Sequence, residues 1–172
     1  MTPQPRLETD RLVLRPFLAE DFEPFAAMCA DREVMRYIND GRALTRGEAW
    51  RALAMFAGHW SIRGYGQWAV VEKATGAFIG RAGLWNPEGW PGLEVGWFLD
   101  RARWGHGFAT EAGLAALDWA FRVLGAERVI SVIHPKNVAS IRVAERLGER
   151  FERAMMLDGG IEVVVYGRRR PG

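Results

Sequence analysis

The sequence predicts an α/β fold of the α+β kind, in which a mixed, mostly antiparallel twisted sheet carries helices on both faces. Two observations lead to this prediction. Short runs rich in β-branched and aromatic residues, joined by tight turns, alternate with segments of helical periodicity. One strand–helix–strand unit, residues 93–133, is a βαβ crossover, which places two parallel strands at the centre of an otherwise antiparallel sheet.

The first third of the chain contains one strand and two helices. Residues 11–17 have strand character, and a helix begins near Asp21 because Pro24 is tolerated only in a first turn. The capping box Thr45–Glu48 opens a second helix, which ends near Arg63. The side chains expected to face inward from this second helix are Trp50, Leu53, Ala54, Ala57 and Trp60.

The remaining elements follow from a change to strand periodicity and back. Residues 67–73 and 77–85 form a hairpin, and residues 86–92, rich in proline and glycine, form a loop. The strand 93–99 places Leu93, Val95, Trp97 and Leu99 on one face and Glu94, Gly96 and Phe98 on the other. The later elements are helix 110–124, strand 128–133, helix 137–147 and a hairpin of 151–157 with 161–166.

Length and composition describe one folded domain over residues 1–172. Hydrophobic residues make up 49% and charged residues 26% of the chain, as in an ordinary globular protein. The longest uncharged stretch, 52–62, is too short to cross a bilayer, and residues 1–8 lack the apolar segment of a secretory signal. The single cysteine, Cys29, excludes an internal disulfide and a Cys-based zinc site. We expect a cytoplasmic protein.

The charge pattern does not indicate a nucleic-acid or membrane partner. The formal net charge is +2, and nearly all basic residues are arginine. The one basic run, Arg168–Arg170, is more typical of a solvated strand end than of a contact with an anionic partner.

The segment between strand 93–99 and helix 110–124 predicts an anion-binding loop. Gly105 and Gly107 lack a Cβ atom, so a phosphate can approach the backbone, and amides 105–110 can surround it at the positive end of the helix. Glycine spacing alone is equally compatible with a plain tight turn. The dinucleotide-binding pattern is excluded because Thr110 stands where its third glycine would be.

Asn137 and Ser140 follow the next parallel strand. Taken alone, Asn137 is an N-cap and Ser140 a first-turn residue. Together with the glycine loop, however, they lie beyond the carboxyl ends of two parallel strands, where open sheets hold ligands.

These segments resemble the GCN5-related N-acetyltransferase (GNAT) superfamily, and within it the RimJ/RimL group. The resemblance lies in residues 94–99, 104–112 and 137–148, and also in 9–15 and 31–38, so that it covers nearly the whole chain. It implies acetyl-coenzyme A as cosubstrate, a GNAT-like sheet and direct acetyl transfer to an amine. The residues it assigns to coenzyme binding are Trp97, Phe98, Leu99, Trp104, Gly105, His106, Gly107, Phe108, Ala109, Thr110 and Asn137.

The resemblance also implies catalytic roles. Glu94 is the expected general base, with an exposed strand carboxylate or a structural ion pair as the alternative. Ser140 is the expected proton donor to the thiolate, because helix 137–147 has no tyrosine, and a backbone N–H near Phe98 is the expected oxyanion donor. Replacing Glu94 by Gln is expected to slow turnover most at lower pH.

The acceptor and the partners remain open at this point. We expect a peptide or protein N-terminal amine; a polyamine or aminoglycoside, or a non-catalytic acyl-coenzyme A-binding module, are the alternatives, and a homodimer is compatible with either. No metal is expected, because His59, His106 and His134 lack ligand spacing. The tryptophans Trp60, Trp85 and Trp90 are candidates for the wall of the acceptor pocket.

Overall fold

The computed structural model describes residues 4–172. Residues 1–3, which belong to the segment 1–8 that was expected not to be a secretory signal, lie outside the described range. One sheet of eight strands has the spatial order β1-β2-β3-β4-β5-β6-β8-β7. The strands are β1 (Leu7–Glu8), β2 (Leu12–Arg15), β3 (Gln67–Glu72), β4 (Phe78–Trp85), β5 (Glu94–Leu99), β6 (Arg128–Ile133), β7 (Arg150–Leu157) and β8 (Ile161–Arg169). The helices are α1 (Phe22–Ala30), α2 (Arg32–Met35), α3 (Arg46–Arg63), α4 (Phe108–Arg122) and α5 (Val138–Arg146).

The predicted fold class and the βαβ crossover are confirmed. β5 and β6 pair in parallel, and the other neighbouring strands pair antiparallel. Two short elements, β1 and α2, were not predicted, because two- and four-residue segments are too short to show a period. Among the helices of residues 4–172, none combines the length and apolar character needed to cross a membrane.

The sheet has a hydrophobic core on each face. Val95, Leu99 and the inner side of α4 pack into one core, and Phe98 packs into the other with α1 and α3. The alternation predicted for strand 93–99 is therefore confirmed. Trp60 lies within the first core, edge-on to Trp68 at 4.9 Å between ring centroids, and so does not line an acceptor pocket.

The capping box of α3 is confirmed, but its predicted inward face was partly wrong. The Thr45 backbone N–H donates to the Glu48 carboxylate (2.8 Å), and the Glu48 N–H donates to the Thr45 hydroxyl (3.3 Å). Trp50 and Ala54 are exposed. The buried positions are instead Ala49, Leu53, Phe56, His59 and Trp60. Trp50 packs edge-on against Phe22 at the surface, at 5.2 Å between ring centroids, because the inward stripe is rotated by one residue from the predicted one.

Candidate active site

The glycine loop adopts the conformation that only glycine takes without strain. Gly105 has a φ of +77° and Gly107 a φ of +81°. Gly107 is the N-cap of α4, so the helix begins at Phe108 rather than at the predicted residue 110. Phe108, Ala109 and Thr110 therefore form the first helical turn and are not part of the loop. The first intrahelical bond runs from the Glu111 N–H to the Gly107 carbonyl (3.0 Å).

This helix start leaves a series of free amides. No acceptor within residues 4–172 receives a hydrogen bond from the backbone N–H groups of residues 105–110. Free N–H groups at a helix N-terminus, together with the helix dipole, attract an anion. The structure thus supplies the donors expected of a phosphate-binding loop.

Arg11, on the turn before β2, contacts the glycine loop and the first turn of α4. Its guanidinium forms an ion pair with Glu111 (2.6 Å), donates to the His106 carbonyl (2.9 Å) and lies over the Phe108 ring, 4.5 Å from the centroid. The His106 imidazole is exposed and engages the Trp104 carbonyl (2.8 Å). Arg11 therefore binds the His106 carbonyl and leaves the backbone N–H groups of the loop unoccupied.

The two parallel strands diverge beside this loop. β5 and β6 pair at one register position, Glu94 with Ile130. Beyond that position, β6 continues its pairing with β8 as far as Ile133, and β5 continues with β4 as far as Leu99. A gap opens between the carboxyl ends of the strands, where the resemblance implies that the pantetheine arm inserts.

Trp97 of β5 has backbone groups that face the gap and pair with no neighbouring strand of the described chain. The Val95 carbonyl accepts from the Ser131 hydroxyl (2.9 Å), and the Leu99 carbonyl accepts from the Trp104 indole (3.0 Å). Because backbone groups alternate between the two edges of a strand, the N–H and C=O of Trp97 face the same gap. Leu99 was also assigned to coenzyme binding, but its carbonyl is occupied by the Trp104 indole.

The same alternation bears on the expected oxyanion donor. Phe98 is paired with Arg81 of β4, so its own N–H is directed toward β4. The N–H groups directed into the gap are those of Trp97 and Leu99. The donor near Phe98 is therefore one of these two neighbours.

A cavity of about 1570 Å³ extends from the gap across the glycine loop. Every residue predicted to bind the coenzyme lines it: Trp97, Phe98, Leu99, Trp104, Gly105, His106, Gly107, Phe108, Ala109, Thr110 and Asn137. Arg142 and Arg146, one turn apart on α5, also line it and are exposed. Within the described part of the chain neither forms an ion pair, so both guanidinium groups are available to an anionic ligand.

Asn137 and Ser140 lie at the inner end of this cavity. The Asn137 side-chain oxygen accepts from the Ser140 N–H (3.2 Å), as an N-cap does. The Trp97 indole donates to the Ser140 hydroxyl oxygen (3.3 Å). Since the oxygen accepts this bond, the hydroxyl proton remains free to be donated elsewhere.

A second cavity of about 670 Å³ lies on the other side of β5. It shares its boundary with the first, and the residues common to both are Tyr37, Ile38, Trp97, Phe98, Asn137 and Ser140. Trp85 and Trp90 line the second cavity, as predicted for an acceptor pocket. The two cavities are therefore adjacent, and Ser140 belongs to the wall of both.

Glu94 is half-buried in the wall of the second cavity. Its carboxylate accepts from the Trp90 indole (2.7 Å) and lies over Gly96, where a Cβ atom would stand 3.3 Å from Oε1. Burial raises the pKa of Glu94 to about 7, although the Trp90 hydrogen bond and the positive charge of Arg81 oppose the rise. A carboxylate with this pKa is suited to general base catalysis near neutral pH.

Glu149, just before β7, carries a second carboxyl, close enough to Glu94 to interact with it electrostatically. Glu149 is 3% exposed, and neither of its side-chain oxygens has a hydrogen-bond partner within residues 4–172. Burial raises the pKa of Glu149 to about 8; repulsion from Glu94 and Glu152 adds to the rise, and Arg168 opposes it. Glu149 is therefore largely protonated at neutral pH.

Three polar residues of the second cavity were missed by the sequence analysis: Tyr37, Gln67 and Arg81. Tyr37 lies between α2 and α3, in the segment 31–38 that carries part of the resemblance, but the sequence analysis gave it no role. Gln67 and Arg81 are separated by a hairpin and meet only through the pairing of β3 with β4. The only available sequence signal was the alternation of strand 77–85, which assigns Arg81 to one face. In the folded sheet, Glu94 of β5 lies on that same face.

The histidines serve local roles. His59 is buried and stacks on Trp85 with ring centroids 4.5 Å apart; its Nδ1 faces the Tyr65 carbonyl (2.8 Å), and its Nε2 accepts from the Asn86 N–H (3.3 Å). His134 packs beside the Tyr37 ring. Within residues 4–172, no group of three or more His, Cys, Asp or Glu side chains is placed to hold a metal ion.

Comparison with known proteins agrees with this architecture. The acetyltransferase (GNAT) domain family matches residues 11–150. The N-acetyltransferase p20 of Bacillus licheniformis is 30% identical over 85% of this chain and 83% of its own length. The crystal structure of an acetyltransferase from Agrobacterium tumefaciens is 29% identical, with a TM-score of 0.86 over 96% of this chain and 95% of the other.

The chain therefore belongs to the GNAT acetyltransferase family, and it is an acetyltransferase. Its fold is also that of a RimL ribosomal L7/L12 α-N-protein acetyltransferase solved in complex with coenzyme A, with a TM-score of 0.79 over 96% of this chain and 98% of the other. The two are 17% identical, so this likeness concerns the fold alone.

Proposed function

We propose that the protein transfers the acetyl group of acetyl-coenzyme A directly to a primary amine, and that this amine is the N-terminus of a peptide or protein. The observation that carries the proposal is that the two cavities are adjacent and share wall residues, among them Trp97 and Ser140. A thioester held in the larger cavity can present its acyl end to the smaller one at Ser140 and Trp97. Direct transfer requires this juxtaposition of donor and acceptor.

Coenzyme binding is proposed to use main-chain groups first. The free amides of residues 105–110 suit a pyrophosphate, and the Trp97 peptide and the Asn137 side chain suit the amides of the pantetheine arm. Arg142 and Arg146 suit the remaining phosphate, because guanidinium groups bind phosphate oxygens strongly.

Each proton of the reaction has a proposed carrier. Glu94 accepts a proton from the acceptor ammonium, directly or through water, and the amine nitrogen then forms its bond to the acetyl carbon. The N–H of Trp97 or Leu99 stabilises the oxyanion of the tetrahedral intermediate. When the carbon–sulfur bond breaks, the Ser140 hydroxyl donates a proton to the thiolate and regains one from the attacking nitrogen, directly or through water, as the acetyl C=O bond re-forms. Glu94 then releases its proton to solvent. The products are an acetylated amine and free coenzyme A.

The choice of a peptide N-terminus is supported by fold likeness to ribosomal-protein acetyltransferases. The chemistry also fits, because the pKa of an α-amine, about 7.7–8.0, lies within reach of a base with a pKa near 7. We also propose that the protein acts in the cytoplasm, the compartment expected from its sequence.

The test is release of free thiol from acetyl-coenzyme A over a panel of N-terminal peptides, polyamines and aminoglycosides. We expect turnover on peptides and a mass increase of one acetyl group at the N-terminus. Preferred turnover on polyamines would move the acceptor to that class. Tight coenzyme binding by calorimetry with no turnover on any amine would identify a non-catalytic acyl-coenzyme A-binding module instead.

A further inference from the structure

The floor of the smaller cavity carries one partly buried cation, Arg81. Arg81 lies directly across from Phe98 in the β4–β5 pairing. Its guanidinium lies 4.2 Å from the centroid of the Phe56 ring and 5.2 Å from that of Phe98, and Nη1 donates to the Gln67 side-chain oxygen (3.0 Å). Arg81 is thus held rigidly at the back of the space that an acceptor would enter.

Within residues 4–172 this charge has no direct ion-pair partner. Arg81 forms no ion pair with any carboxylate of residues 4–172, and its buried Nε–H has no acceptor. Desolvation lowers the pKa of Arg81 to about 10, so the guanidinium remains charged at neutral pH. Contact with aromatic faces and one neutral amide stabilises a cation but leaves it without an ion-pair partner.

Glu94 attracts Arg81 electrostatically but forms no ion pair or hydrogen bond with it. Its carboxylate is engaged by the Trp90 indole rather than by Arg81. The other acidic residues of the cavity, Glu88 and Asp158, are exposed at its mouth, and Glu88 pairs with Arg63 (3.6 Å). A partly buried guanidinium with a buried N–H that has no acceptor is costly, and an anionic group of a ligand that accepts from this N–H would offset that cost.

On the basis of the acetyl transfer proposed above, we propose that Arg81 is a specificity-determining residue that binds a carboxylate of the acceptor. The preferred acceptor is then an amine that carries a carboxylate a few bonds away. The short separation follows from the position of the guanidinium, which lies 5.2 Å from the centroid of the Phe98 ring beside the proposed reaction centre. A polycation is disfavoured at this floor by the like charge.

Two sources supply such an acceptor: a free amino acid, and a peptide whose first residue is Asp or Glu. The experiment uses matched pairs, each differing only in charge. Free amino acids are compared with their amides, and peptides that begin with Asp or Glu are compared with the same peptides beginning with Asn or Gln. The readout is kcat/KM from thiol release. In the preferred source, we expect the carboxylate member to exceed its neutral partner roughly 10- to 100-fold, as for one charge-assisted hydrogen-bonded pair.

Substitutions then assign the preference to Arg81. Arg81→Met keeps an unbranched apolar chain between the two phenylalanines and is expected to reduce the charged-to-neutral ratio to near one, whereas Arg81→Lys retains part of it. Arg51→Met, at an exposed position of α3 outside both cavities, is the matched control and should leave the ratio unchanged.

The outcomes separate this proposal from the proposed function. Equal turnover of the wild-type protein on charged and neutral partners, or a preference for the neutral ones, overturns the role of Arg81 while leaving acetyl transfer intact. This comparison does not depend on any variant folding. If no amine is acetylated, the proposed function fails, and calorimetric binding of N-acetyl amino acids against their amides, in the presence of coenzyme A, decides the role of Arg81 by itself.

Discussion

The pH dependence of Glu94→Gln follows directly from the environment of this residue. Without the structure, a carboxylate of ordinary pKa would be ionised throughout the range from pH 6 to pH 8, and the loss would be largest at low pH, where free amine is scarce. Burial raises the pKa of Glu94 to about 7 and reverses this order. The carboxylate is about 9% ionised at pH 6, about half at pH 7 and about 91% at pH 8.

The advantage of the wild-type protein over the variant should therefore grow about tenfold from pH 6 to pH 8. A general base contributes roughly 10²–10⁴-fold, so a loss of about two or more orders of magnitude is expected at pH 8 and about tenfold less at pH 6. The two rates are taken as a ratio at each pH, because the titration of the acceptor amine then cancels.

The assay is thiol release at saturating acetyl-coenzyme A, with coenzyme affinity measured separately by calorimetry. Affinity should be nearly unchanged, because Glu94 lines only the smaller cavity. Glu127→Gln, at an exposed position outside both cavities, is the control for loss of one carboxylate. A ratio that stays constant between pH 6 and pH 8, or a variant as active as the wild type, would remove Glu94 from the role of base.

Three further predictions concern the loop, the proton donor and the buried carboxyl. Gly107→Ala should weaken coenzyme binding roughly tenfold, measured by calorimetry. The control is Gly125→Ala, which imposes the same backbone strain of about 1–2 kcal/mol, at a φ of +74°, away from the site. Equal coenzyme affinities in the two variants would contradict the loop assignment. Ser140→Ala should lower kcat roughly 10- to 100-fold at unchanged coenzyme affinity. If Tyr37→Phe slows the reaction and Ser140→Ala does not, the proton donor is Tyr37. Glu149→Gln should raise the free energy of unfolding at pH 8 by about 1–3 kcal/mol and have little effect at pH 4.5, measured by urea titration.

The sign of the last prediction follows from the raised pKa. A carboxyl whose pKa is higher in the folded than in the unfolded state stabilises the fold below the unfolded value, and this stabilisation is lost as pH rises through the folded value. For Glu149 that window extends from about 4.5 to about 8. A wild-type stability that is flat across this range would show that the carboxyl is not buried in solution.

Much of the fold is visible in local sequence patterns. The capping box at Thr45, the glycine turns and the alternation of residues 93–99 are local signals, and the structure confirms each of them. The inward face of α3 was less predictable. Trp50 is apolar enough to suggest burial, but its position on the helix directs it toward Phe22 at the surface, and a period alone does not distinguish a core contact from a surface one.

The candidate site divides in the same way. The residues of the glycine loop are contiguous in the sequence. Two of them adopt a left-handed backbone conformation that favours glycine, so the residue types alone indicate the loop. Tyr37, Gln67 and Arg81 carry no such local demand. They reach one cavity only because the sheet pairs β3, β4 and β5 side by side and the loop before α3 folds over their ends.

The sequence by itself thus determined the order of the longer elements, the parallel crossover and the glycine loop that precedes α4, since these depend on short-range periodicity and on backbone conformations restricted to glycine. The tertiary structure alone decided that the two cavities are adjacent, how far burial raises the pKa of Glu94, and that Arg81 is left without an ion-pair partner in the described part of the chain. Those properties depend on which side chains surround a group and how much water reaches it, and strand pairing between segments distant in the chain sets both.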